Sequence, residues 1–118
     1  MNNTEKTSVQ LSAHTAAQDE LKTRVIEKLR TIFDPEVPVN IYDLGLIYQL
    51  DVRAGGDVYV RMTLTAPNCP VAQSFPDLVQ NALWLVDGVS GVEVELVWEP
   101  PWSQEQMTEA ARLQLGLL

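Results

Sequence analysis

The chain has 118 residues, of which 46% are hydrophobic, 20% charged and 7% aromatic, the composition of a single globular domain with no room for a second. About 100 residues bury roughly 60–70% of their unfolded surface, enough for one core without disulfide or metal staples. The formal charge is −8, and it is uneven: residues 1–30 hold five basic and four acidic side chains, residues 31–118 three basic and twelve acidic. A body this acidic argues against nucleic acid or an anionic membrane as partner, because both are held by Lys and Arg.

Residues 1–17 are polar and aperiodic, which predicts a mobile tail ahead of one domain spanning 18–118. His14 falls in that tail and is expected to be solvated. The start of the chain has no apolar region behind a basic end, and no apolar run approaches the roughly 20 residues that cross a bilayer, so a cytoplasmic location is expected.

Leu21, Val25, Leu29 and Ile32 recur at helical spacing between charged positions, predicting a helix over 18–32 that stops before Asp34-Pro35. A loop follows to Gly45, with one helical turn at 40–44. Leu46, Tyr48, Leu50 and Val52 alternate with Ile47, Gln49, Asp51 and Arg53 as a strand with one buried face. Ala54-Gly55-Gly56-Asp57 suits a hairpin turn, and Val58, Val60, Met62 and Leu64 form the return strand, with Thr63 and Thr65 on its outward side.

Val71, Phe75, Leu78, Val79, Ala82, Leu83 and Val86 define a second helix that Asp87-Gly88 ends. Pro76 removes an amide donor, so the regular helix is expected to begin only near Phe75. Val92, Val94, Leu96 and Trp98 alternate with Glu93, Glu95, Val97 and Glu99, a third strand with an acidic outer face. Pro100-Pro101 terminates it, and Ser103 with Gln106 has capping-box spacing ahead of a short last helix. The order α-β-β-α-β-α predicts an α+β domain, a two-layer arrangement of a mixed three-stranded sheet with helices packed on it.

No Walker loop, GxGxxG, GxSxG or HExxH motif and no pair of CxxC motifs is present, and the body has no histidine to activate a nucleophile. That leaves Cys69, the sole cysteine, where the second strand gives way to the second helix. A thiol near a helix N-terminus is acidified and suited to attack or soft-metal ligation. The competing reading, that Cys69 only packs as a small hydrophobe, leads on burial statistics. Asp34, Glu36 and Asp43 cluster in the proline-rich loop. They suit hard-cation binding or acid-base work, although capping and turn roles explain them more simply. Trp84 falls opposite the apolar stripe of its helix, an exposed position that suits either an interface or a cluster with Trp102.

The runs DPEVPVNIYDLGLIYQLDV at 34–52, VRMTLTAPNCPVA at 60–72 and VEVELVWEPPWSQEQMTEAARLQLGL at 92–117 together resemble the metal-sulfur cluster biosynthesis domain family, and within it the SufT-like branch. The resemblance covers residues 20–118 in unbroken order. It implies a small domain that helps insert iron-sulfur clusters into client proteins in a SUF-type system, without being an enzyme. Cys69 becomes the functional thiol, a transient ligand of cluster or metal, and Asp34, Glu36, Asp43, Thr63 and Thr65 mark the signature loop and the strand leading to it. The implied partners are assembly scaffolds, carriers and client apoproteins. A cluster takes about four protein ligands, so one cysteine cannot hold it alone. Either two subunits bridge a cluster as a homodimer, or Cys69 contacts one shared with a scaffold; the second needs no stable cofactor. Two other readings stay open: an interaction adaptor using Glu93, Glu95, Glu99 and a tryptophan with Cys69 structural, and a thiol-exchange enzyme, for which no resolving cysteine is present.

Overall fold

A computed structural model describes residues 16–34, 37–65 and 74–117. Helix α1 (Ala16–Leu29) is followed by strands β1 (Ile47–Val52) and β2 (Asp57–Met62), helix α2 (Phe75–Trp84), strand β3 (Gly91–Leu96), a 3-10 turn over 104–106, and helix α3 (Glu109–Gln114). The sheet order is β1-β2-β3, with β1 antiparallel and β3 parallel to β2, so the expected mixed sheet is what forms. α1 packs over β1, α2 over β3, and the helices touch each other. Val25 and Leu29 of α1, Val79 and Leu83 of α2, and Val60 and Met62 of β2 meet in the core with no solvent exposure.

Several boundaries differ from the expected ones for local reasons. α1 starts at Ala16, inside the expected tail, whose remaining residues lie outside the described ones. It ends at Leu29, because Thr31 and Ile32 already bond three residues back and Phe33 then bridges Asn40 in extended form. β1 loses its clean alternation at a register irregularity between Ile47 and Gln49, and only Val52 within it is buried. Gly55 and Gly56 turn the hairpin at φ 89° and 97°, as their sequence suggests.

α2 begins at Phe75 with Pro76 in its first turn, where the missing amide would have had no intrahelical partner. It stops at Trp84 rather than Asp87, the chain tightening through Leu85 to Ala82 and Val86 to Leu83 bonds before Gly88 at φ 98°. The capping box at Ser103 does not open the last helix. The Ser103 amide donates to Gln106 Oε1 at 2.7 Å and closes a single 3-10 turn; Thr108 then caps α3, its hydroxyl oxygen accepting the Ala111 amide at 3.2 Å.

Candidate functional site

The end of the sheet where β1 begins and β2 finishes carries the loop that the sequence marks. The loop enters from α1 at Asp34, makes one turn over 40–44 and delivers Leu46, whose carbonyl accepts the Thr63 amide at 2.9 Å. The chain beyond β3 folds back over this end. Tyr48 donates its hydroxyl proton to the Pro100 carbonyl at 2.7 Å, Trp102 donates from Nε1 to the Leu44 carbonyl at 2.6 Å, and the Thr108 amide donates to the Asp43 carbonyl at 2.9 Å. Gly45 sits under this return at φ 81°, and a Cβ there would collide with the Gln106 carbonyl oxygen. The glycine of the DLG run is therefore required by backbone shape and close approach.

Two of the singled-out residues come together. Asp34 is 6% exposed; its Oδ2 accepts the Val37 amide at 2.8 Å, and its Oδ1 accepts the Thr65 hydroxyl at 3.5 Å. The first bond bends the loop back on itself, and the second ties it to the strand end that leads, in sequence, toward Cys69. Asp43 works apart from them. Its Oδ2 accepts the Asn40 side-chain amide at 2.9 Å, its own amide donates to Asn40 Oδ1 at 2.8 Å, and its Oδ1 lies 3.6 Å from Arg30 Nε. Asn40 Oδ1 thus caps the one-turn segment at the Asp43 amide, a side-chain bond to the Asp43 carboxylate holds the Asn40 amide in that pose, and Asp43 serves as a brace between the end of α1, the loop and α3. Arg30 also stands 4.9 Å from the centroid of the Tyr42 ring, which holds the guanidinium over this turn.

Thr63 departs from its expected outward position. By strand parity it should share the open face with Tyr59 and Arg61, yet it is 1% exposed. The regular strand ends at Met62, and although the Thr63 amide still bonds the Leu46 carbonyl, both Thr63 and Leu64 are buried. The Thr63 Oγ1 has no hydrogen-bond partner among the described residues, a condition that costs about 1–3 kcal/mol for a buried hydroxyl. Thr65 is partly buried, in keeping with its contact to Asp34. Cys69 and Glu36 lie outside the described residues. Among the described residues no three His, Cys, Asp or Glu side chains gather closely enough to hold a metal ion, so Asp34 and Asp43 do not make a hard-cation site between them.

Sequence reading missed the Asn40–Asp43 pair and the Trp102 anchor. The first had a signal, an Asn with an Asp three residues on; the second, a tryptophan after a proline pair, had none that specified its partner. Trp84 is 45% exposed, as its helical phase indicates, while Trp102 is partly buried at the Leu44 carbonyl. The open face of the sheet carries a third polar group: Tyr59 donates its hydroxyl proton to Glu95, and Arg61 lies 3.6 Å from Glu95. The hydrogen bond to the Glu95 carboxylate holds the Tyr59 phenol above its ordinary value, and the bond to the Tyr59 oxygen raises the Arg61 guanidinium. No described helix is long and apolar enough to cross a membrane.

This mixed sheet with its braced loop is a known architecture. The solved structure of a domain of unknown function, DUF59, from Bacillus anthracis matches with a TM-score of 0.76 at 33% identity, over 86% of this chain and 97% of that one. Residues 22–96 match the iron-sulfur cluster assembly protein family, and the chain belongs to that family. Among its relatives, an Fe-S protein maturation auxiliary factor of Porphyromonas gingivalis is 52% identical over 94 residues, covering 80% of this chain and 90% of the relative. The Fe-S protein maturation auxiliary factor SufT of Staphylococcus aureus is 36% identical over 86 residues, covering 73% and 98%.

Proposed function

We propose that this chain is a SUF-type maturation factor for iron-sulfur proteins, and that its Cys69 thiolate makes transient contact with a cluster passing from an assembly scaffold or carrier to a client apoprotein. The cluster is cargo. One cysteine supplies one of the roughly four ligands a cluster takes, so the others come from the donor or the client, and no cluster stays when both are absent. This arrangement fits a carrier step better than a homodimer bridging a resident cluster through two Cys69 thiolates, and it needs no bond-making chemistry that would make the protein an enzyme. The working unit is the 18–118 domain, acting in the cytoplasm.

The observation that carries the reading is the family membership, joined to the placement of Asp34 and Thr65. The buried carboxylate holds the strand end from which the chain runs on toward its only cysteine. Asp34 holds Thr65, while Asp43 and Gly45 keep the loop in shape. The helix dipole is a weaker support, since it acts within the first turn and α2 starts at Phe75.

Anaerobic cluster transfer tests this. A cluster-loaded scaffold is mixed with an aconitase-type apoprotein, with and without this chain, and recovery of activity is timed. Wild type accelerates transfer and Cys69→Ser does not, while neither protein alone retains iron and sulfide after desalting. Equal acceleration by both would instead support the adaptor reading, in which Cys69 only packs.

A further inference from the structure

The two edges of the sheet are finished differently. β1 is irregular between Ile47 and Gln49, α1 packs over it, and the Gln18 side-chain amide donates to the Val52 carbonyl at 3.2 Å at its end. Among the described residues β3 pairs only with β2, in unbroken register over Gly91–Leu96, and it has no proline, lysine or arginine, the usual means of blunting an exposed edge. The Val97 amide donates to the Met62 carbonyl at 2.8 Å. A parallel ladder alternates sides residue by residue, so the backbone N–H and C=O groups of Val92, Val94 and Leu96 face away from β2. Among the described residues those groups have no partner.

We propose that β3 is a docking edge onto which a partner protein adds, as a fourth strand, an extended segment alternating apolar and basic residues. The backbone supplies the hydrogen bonds and the two faces of β3 supply the selectivity. On the helix-covered face Val92, Val94 and Leu96 pack on the core yet stay partly exposed, and apolar side chains of the added strand would continue that layer. On the open face Glu93 and Glu95 are exposed; Glu93 has no ion-pair partner among the described residues, and Glu95 shares its charge with Arg61 alone. Lysine or arginine opposite these carboxylates is favourable, and another carboxylate is not.

That same row disfavours a second copy of this chain. In a twofold antiparallel pairing centred on Val94, Glu93 of one copy faces Glu95 of the other; shifting the register sets Glu93 against Glu93 or Glu95 against Glu95. The acidic row therefore guards the edge against self-association and leaves it open to a basic strand. This goes beyond the maturation reading and does not depend on Cys69.

The test is amide hydrogen exchange, read residue by residue by NMR on the full chain, with an end-blocked eight-residue peptide of alternating valine and lysine. Its counterpart carries glutamate in place of lysine. The basic peptide slows exchange at Val92, Val94 and Leu96 in a saturable, salt-weakened manner, and the acidic peptide does not. Glu93→Lys/Glu95→Lys weakens the basic peptide roughly tenfold and admits the acidic one. Val94→Pro, which removes an outward-facing amide together with a side chain that packs on the core, abolishes binding in protein whose amides between β2 and β3 stay protected. Cys69→Ser binds like wild type, so the edge and the thiol stand or fall separately. Protection that appears without peptide as protein concentration rises would assign the edge to a second copy and overturn the proposal. So would protection confined to β1, or equal binding of both peptides.

Discussion

The signature loop and the open face of the sheet both carry carboxylates hydrogen-bonded to neighbours, yet the bonds do different things. In the loop, Asp34 is buried and its two oxygens accept from a backbone amide and a hydroxyl that are themselves partly buried. On the sheet, Glu95 holds Tyr59 and Arg61 with its side chain 50% exposed, where water can replace every partner. Equal-looking contacts therefore differ in worth, because the cost lies in leaving a buried group unpaired, not in losing a bond as such. The loop is where the fold spends its polar groups on shape.

Substitutions should rank accordingly. Gly45→Ala combines a left-handed backbone with a collision against the Gln106 carbonyl, and should lower unfolding free energy by about 3 kcal/mol or more, read by urea denaturation. Asp34→Ala leaves the Val37 amide and the Thr65 hydroxyl without an acceptor and should cost about 2 kcal/mol; a loss below a few tenths would show that the loop does not depend on it. Asp43→Ala keeps the amide that Asn40 caps but removes the carboxylate that holds the Asn40 side chain and the half-exposed Arg30 pair, for about 1 kcal/mol by the same assay.

Thr63→Val sharpens the comparison from the other side. It removes a buried hydroxyl that has no partner among the described residues, at nearly constant volume, so stability should hold or rise by up to about 1 kcal/mol, visible as an unchanged or higher melting temperature. Glu95→Gln should leave the melting temperature where it is. It should lower the Tyr59 titration toward that of an ordinary phenol, followed by ultraviolet absorbance. A raised phenol pKa favours the folded state below the ordinary value and loses that contribution as pH climbs through the folded value. For so exposed a group this leaves alkaline stability almost unmoved.

Much of this was legible in the sequence. Period and punctuation gave the element order, the Gly55-Gly56 turn, the delayed start of α2 at Phe75 and the exposure of Trp84, since each depends on neighbours in sequence. What depends on distant chain was not. Thr63 reads as outward by alternation and is buried at the end of the strand; Ser103 and Gln106 read as the start of a helix and close one turn, while Thr108 caps the helix. Asp34 and Asp43 look alike in the DPE and DLG runs. Only the fold separates the one that holds the Thr65 strand end from the one that braces α1 and α3.

The measurement that tests the central claim most directly is the ratio of holo to apo aconitase, or of another iron-sulfur enzyme, in cells lacking this protein and complemented with wild type or Cys69→Ser. The account predicts that wild type restores the holo fraction and that Cys69→Ser, folded and present at the same level, does not. Equal restoration by both would contradict the role given to the thiol, and an unchanged holo fraction in the deletion, with no second factor of this family in the cell, would contradict the maturation function itself.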